Sequence, residues 1–211
     1  MRPPESRPYV SAKREAAAAE TRRLIVDAAN RLLEGGPAQV SMEAVARAAG
    51  VTRLTLYKQF GSRSGLLEAV FDENGRRWGI ARMAQVMQTP DAREGIGQAI
   101  DLLCEFWGAH PSFAGLHDAA AVDPEFAAAL DTRNQRRRMV FDTLLQRLDG
   151  DDLRRRDCAD LVFGLTNMAM FRALSVTRPP AGVADVMKTA VFAVIDAYGL
   201  VVPGNGPGSG A

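Results

Sequence analysis

Cysteine, histidine and lysine are scarce in this 211-residue chain, with two, two and three of each. Two cysteines exclude a disulfide scaffold and a four-cysteine zinc site. Two histidines leave no multi-histidine metal cage, so neither metal nor cofactor is expected. No apolar run approaches the ~20 residues of a membrane span. Met1 to Tyr9 is polar and proline-rich and lacks the apolar core of a secretory leader. The expectation is a soluble cytoplasmic protein with no membrane partner. Strand alternation bounded by turn signals is missing as well. So are paired carboxylates in a recognisable motif, a phosphate-binding glycine loop, metal-ligand spacing and a nucleophile elbow. No catalytic residues are expected, and the chain does not read as an enzyme.

Hydrophobic residues make up 47% and charged residues 24%, enough for one large core or two small ones. The net charge of +1 hides an asymmetry: residues 1–80 hold 13 Lys+Arg against 9 Asp+Glu, leaving 13 against 16 beyond. A basic front on an acidic body suits an anionic partner at the front. Arginine supplies 23 of the 26 cations, a bias that a GC-rich genome explains before phosphate recognition does.

Apolar residues recur at helical spacing throughout, which makes the chain all-α. Leu24, Ile25, Ala28, Ala29, Leu32 and Leu33 form a stripe that stops at Gly35-Gly36-Pro37. Ser41 caps a short helix with Met42, Val45, Ala46 and Ala49 on its apolar face, and Gly50 ends it. Thr52 caps a helix from Arg53 to Phe60. Ser62 caps one expected to run to about Met87. Five more are expected: Asp91 to Ala109, a short one after Pro111, Pro124 to about Leu148, Arg154 to Val176, and Val183 to Leu200. Residues 1–12 and 203–211 read as disordered, 13–72 as a first domain and 73–202 as a second.

Ser41 to Phe60 carries the functional signal. Two short helices meet at Gly50, where positive φ permits a sharp turn. Ala46 lets the helices approach, and Val51 and Leu56 can plug the angle between them. This is the pattern of a helix-turn-helix, whose second helix enters the DNA major groove. Short helical hairpins of ordinary bundles share it. The longer run sharpens it: Thr21 to Ala29 leads in, Val51-Thr52-Arg53-Leu54-Thr55-Leu56-Tyr57-Lys58-Gln59-Phe60 makes the second helix, and Ser62 to Leu67 opens the next. From Glu20 to Phe71 the chain resembles the tetracycline-repressor (TetR) family of one-component transcription regulators. It departs from the family at Leu54, where a small residue is common. The resemblance implies a three-helix DNA-binding domain and a C-terminal helical domain that dimerises and binds a small effector, releasing a palindromic operator.

Tyr57 and Lys58 match family positions that contact the DNA backbone, and a phenol and an ammonium suit phosphate. Thr52 and Ser41 can cap their helices and also face phosphate. Met42 joins them as a candidate contact. Arg53, Leu54 and Thr55 occupy the first turn of the reading helix. Arg53 can take guanine or a phosphate, while Leu54 or the Thr55 methyl can meet a thymine methyl. In the second domain Phe106, Trp107, His110, Phe113, His117, Phe163, Asn167 and Phe171 are candidates for a moderately apolar effector pocket. Asn167, polar on an apolar helix, is either a pocket anchor or a dimer hydrogen bond. Arg136-Arg137-Arg138 reads as a solvated face paired with Asp131 or Asp142. Leu161, Leu165, Met168, Val191, Phe192 and Ile195 on the last two long helices are candidates for a homodimer interface. The alternative function is a helical protein-interaction module without DNA binding.

Overall fold

The computed structural model describes residues 8–78 and 81–203. Among these, eleven α-helices follow in order: α1 Pro8–Glu34, α2 Met42–Ala49, α3 Arg53–Phe60, α4 Arg63–Trp78, α5 Ala81–Val86, α6 Ala92–Ala109, α7 Ser112–Ala120, α8 Pro124–Leu145, α9 Asp152–Leu165, α10 Met168–Ser175 and α11 Pro180–Ala197. The all-α expectation holds. No described helix is long and apolar enough to cross a membrane. Residues 8–12, expected to be disordered, belong to α1. The remainder of both expected disordered ends, residues 1–7 and 204–211, lies outside the described residues, as does the side chain of Trp78.

Side-chain caps set most helix starts. Asp91 accepts from the amides of Arg93 and Glu94 to open α6, and Asp151 accepts from those of Leu153 and Arg154 to open α9. Asp123 caps Phe126 with Pro124 in the first turn of α8. At the far end, Asp149 and Val201 exchange backbone hydrogen bonds of 2.8 and 3.0 Å, pinning the segment after α11 against the α8–α9 link.

The stretch expected as one helix from Ser62 to Met87 is described as α4 and α5, and residues 79 and 80 between them lie outside the described residues. The helix expected from Arg154 to Val176 breaks at Thr166-Asn167. There the Asn167 side chain accepts the Met170 amide at 2.8 Å and caps α10. The Asn167 side-chain oxygen is thus engaged as a helix cap. Asn167→Ala is expected to cost ~1 kcal/mol, the usual loss of an N-cap, and thermal unfolding of the two proteins checks it.

One continuous core runs from Ile25 on α1 to Leu200. Helix α11 packs on α6 and α9, while α1 packs on α2, α4 and α7. The expected domain boundary at 72/73 falls inside α4, which touches α1 and α3 on one side and α7 and α8 on the other. The joint is both aromatic and polar. Phe71 lies 4.9 Å from Phe113, and Phe113 lies 4.3 Å from Phe106. Asn30 and Asn74 exchange amide hydrogen bonds of 2.9 and 2.7 Å, and buried Asn74 also reaches Ser112. A Cβ on Gly115 would stand 2.3 Å from the Leu33 carbonyl, so α7 meets the end of α1 backbone to backbone.

Both cysteines are buried and unbridged. Burial pushes the Cys104 thiol up to about 12 and the Cys158 thiol up to about 11, which makes both poor nucleophiles.

Candidate nucleic-acid interface

The interface is built on α2 and α3. The Ser41 hydroxyl accepts the Ala44 amide at 3.1 Å and starts α2. Gly50, at φ 67°, closes it in the left-handed conformation that a Cβ disfavours. Val51 then donates to the Ala46 carbonyl at 3.0 Å, locking the turn. Thr52 accepts the Thr55 amide at 3.1 Å, and the two threonine hydroxyls lie 2.8 Å apart. The cap leaves the first amides of α3 without intrahelical partners, beside the positive end of the helix dipole. Gly61, at φ 74°, ends α3, and Ser62 caps α4 through the Gly65 amide at 3.0 Å.

The two faces of α3 differ sharply. Leu56 is fully buried, whereas Leu54 is 78% exposed and Tyr57 42% exposed. Thr52, Arg53 and Lys58 share the exposed surface, and Thr55 is half-buried beside Thr52. The Arg53 guanidinium lies 6.0 Å from the Tyr57 ring, so cation and phenol form one patch. An apolar side chain as exposed as Leu54, among hydroxyls and cations, fits a groove that offers methyl groups and phosphates. Ser41 is exposed near this surface. Met42 is 7% exposed and belongs to the core of the module, which corrects its assignment as a contact. Its position, one residue into α2, turns the side chain inward beside Val45.

Residues that the sequence left unremarked hold this surface in place. Arg63 donates to the Val40 carbonyl at 2.8 Å and to the Pro37 carbonyl at 3.2 Å, and pairs with Asp123 at 2.8 Å. One guanidinium therefore fastens the segment before α2 to the cap of α8. Arg133 pairs with Asp72 at 2.7 Å and with Glu68 at 3.4 Å, tying α8 to α4. Arg22 lies over the Phe60 ring at 4.6 Å and joins α1 to the end of α3.

The second-domain candidates separate into groups. Phe106, Phe113 and His110 form one ring cluster, with His110 Nδ1 3.0 Å from the Phe106 carbonyl. Trp107 and Phe171 pair at 5.5 Å. Phe163 lies elsewhere, under the guanidinium groups of Arg137 and Arg138 at 4.3 and 5.4 Å. His117 is held neutral: burial and the neighbouring Arg137 push it down to about 4. Of the dimer candidates, Met168, Val191 and Ile195 are buried within the chain's own core, which removes them from any surface. Phe192 turns toward α6 and is covered by Arg93 at 5.0 Å. Leu161 is exposed and Leu165 half-buried. The outer face of α11 carries instead Val186, Ala190, Ala193 and Ala197, a stripe of small apolar residues at helical spacing.

A sequence model of the bacterial regulatory proteins of the tetR family matches residues 25–70. An uncharacterised HTH-type transcriptional regulator of Mycobacterium tuberculosis is 37% identical over 87 residues, 41% of this chain and 42% of the relative. The match thus spans less than half of that relative's length. A TetR-like transcriptional regulator from Rhodococcus sp. RHA1 shares the fold with a TM-score of 0.66 at 19% identity, over 83% of this chain and 96% of the other. The transcriptional regulator FadR from Bacillus subtilis, solved in complex with stearoyl-CoA, gives a TM-score of 0.62 at 16% identity, over 80% and 96%. These likenesses establish the architecture: an N-terminal helix-turn-helix domain followed by a C-terminal helical domain.

Proposed function

We propose, from a chain whose residues 25–70 belong to the tetR family of bacterial regulatory proteins, a one-component transcription regulator. It binds a palindromic operator as a homodimer, represses, and is released by a small effector. The observation that carries the reading is the exposed face of α3, where Thr52, Arg53, Leu54, Tyr57 and Lys58 stand together outside the core. The free first-turn amides of α3, a phenol and a lysine suit phosphate, while Arg53 and Leu54 suit base edges.

Dimerisation is supported by apolar surface on α9 and α11, namely Leu161 and Leu165 with the Val186 to Ala197 stripe. Two such helices from each subunit make a four-helix contact, and two-fold symmetry sets the reading helices about 34–36 Å apart on the duplex. Effector control is supported by the fold, shared with a regulator solved bound to stearoyl-CoA. It is supported too by the Arg63–Asp123 and Arg133–Asp72 pairs, through which movement of α8 reaches the helix-turn-helix. The reading assigns no catalysis to the chain.

The test is fluorescence anisotropy of the full chain on a duplex from its own upstream region against a scrambled duplex of equal length. The expected preference is about a thousandfold or more, the usual margin of specific over non-specific binding. Equal affinities would refute the reading and leave the helical interaction module in its place.

A further inference from the structure

The apolar stripe of α8 runs through Phe126, Leu130, Phe141 and Leu144, all buried. Its register, Leu130 plus seven, places Arg137 on the same inward face. Arg137 is therefore not part of a solvated arginine run. Arg136 is exposed, and Arg138 pairs with Asp160 and, at 3.6 Å, with Asp142. Arg172, across from His117, pairs with Asp118 at 2.6 Å. Among the described residues Arg137 has no carboxylate partner. Burial lowers its guanidinium to about 10, still charged at neutral pH.

One of its donors is accounted for. In an unbroken helix the Thr166 carbonyl would accept the Met170 amide. That amide is taken by the Asn167 side chain, and Arg137 Nη1 donates to the vacated carbonyl instead. Nε is buried and meets no acceptor. Nε and Nη2 together form the side edge of the guanidinium, the edge that takes both oxygens of a carboxylate. The Phe163 ring covers the flat face of the same group. A buried cation without a counter-charge is costly, and the fold carries this one where α7, α8 and the α9–α10 break converge.

We propose that Arg137 is the anchor for the carboxylate of a small apolar or aromatic acid, bound on the Nε–Nη2 edge with its body against Phe163. The inference rests on reading the C-terminal half as an effector domain. Nε is closed to solvent in this conformation, so the acid binds by displacing a neighbour at the α9–α10 break. That displacement gives the ligand unequal affinity for two conformations, as an effector requires.

The experiment uses the full chain and a panel of octanoate, decanoate, benzoate and phenylacetate, each against its primary amide, by calorimetry and thermal shift. At least one acid is expected to bind tenfold or more tightly than its amide. Arg137→Met should erase that difference, and Arg137→Lys, which keeps charge but loses the fork, should lose most of it. Equal binding of acid and amide to the native chain overturns the proposal without any variant, as does failure of every acid to bind at millimolar concentration. An Arg137→Met protein that keeps the preference overturns it too. So does one that changes only self-association, which would give the guanidinium to a partner subunit's carboxylate. Sequence-specific DNA binding with no acid preference would remove this inference and leave the regulator reading standing. An acid preference that depends on Arg137, in a chain indifferent to DNA sequence, would do the reverse.

Discussion

Phe113→Ala is expected to lower the unfolding free energy by about 3–5 kcal/mol, the range for removing a fully buried aromatic ring. Phe113 is 1% exposed and stands between Phe71 on α4 and Phe106 on α6. Its ring is the apolar half of the joint between the DNA-binding module and the rest of the chain. Collapse cannot fill the cavity, because Gly115, two residues on, already holds α7 against the Leu33 carbonyl. Val176→Ala, at a position 82% exposed, is the control and should stay within about 0.5 kcal/mol. Urea unfolding followed by far-UV dichroism checks both. A midpoint shift at unchanged m-value gives the loss directly. A split into two transitions would show that the joint, rather than either half, had been lost. A loss under about 1 kcal/mol would mean that the ring cluster does not carry the joint.

The helix-turn-helix was legible because it is local. Ser41, Gly50, Thr52 and Ser62 act on backbone groups three or four residues away, so caps and turns can be read in order along the chain. Local rules fail where the partner is remote. Arg63 and Asp123 are 60 residues apart, and neither residue type nor spacing advertises the pair. Asn167 is hard to read for a related reason: on an apolar helix a polar residue suits a buried site, and a cap needs the same residue type. A pair of broken helices and one continuous helix show almost the same periodicity across a single capping residue. On α11 the amphipathic period is legible, but period alone does not say which covering, the chain's own core or a partner, each face receives. Val191 and Ile195 are the more hydrophobic face, and that face is taken by the chain's own core. Small residues such as Ala190 and Ala193 mark the outer face and attract less notice. Arg137 had a signal, its place in the register of Leu130 and Leu144, which the run of three arginines obscured.

The final expectation separates affinity from sequence reading within α3. Lys58→Ala removes an exposed ammonium at the helix end. Binding should weaken about equally on all duplexes, and the slope of log affinity against log salt should fall by roughly 1, since one phosphate contact releases one counterion. Arg53→Ala should behave differently if its guanidinium takes the O6 and N7 of guanine. It should then cost about 1–3 kcal/mol on the operator and relax the preference at one base pair in each half-site. Leu54→Gly removes a 78% exposed side chain that has no hydrogen-bonding group. It should weaken a preference for thymine and leave the salt slope unchanged, although glycine in a helix also costs ~1 kcal/mol of stability. Leu54→Ala keeps the helix and isolates the groove contact. Salt titrations and a systematic operator library read the arms independently. Uniform weakening by Arg53→Ala, with a changed base preference for Lys58→Ala, would exchange the two roles. No effect from any of the variants would remove α3 from the groove, and with it the reading of this chain as a regulator of transcription.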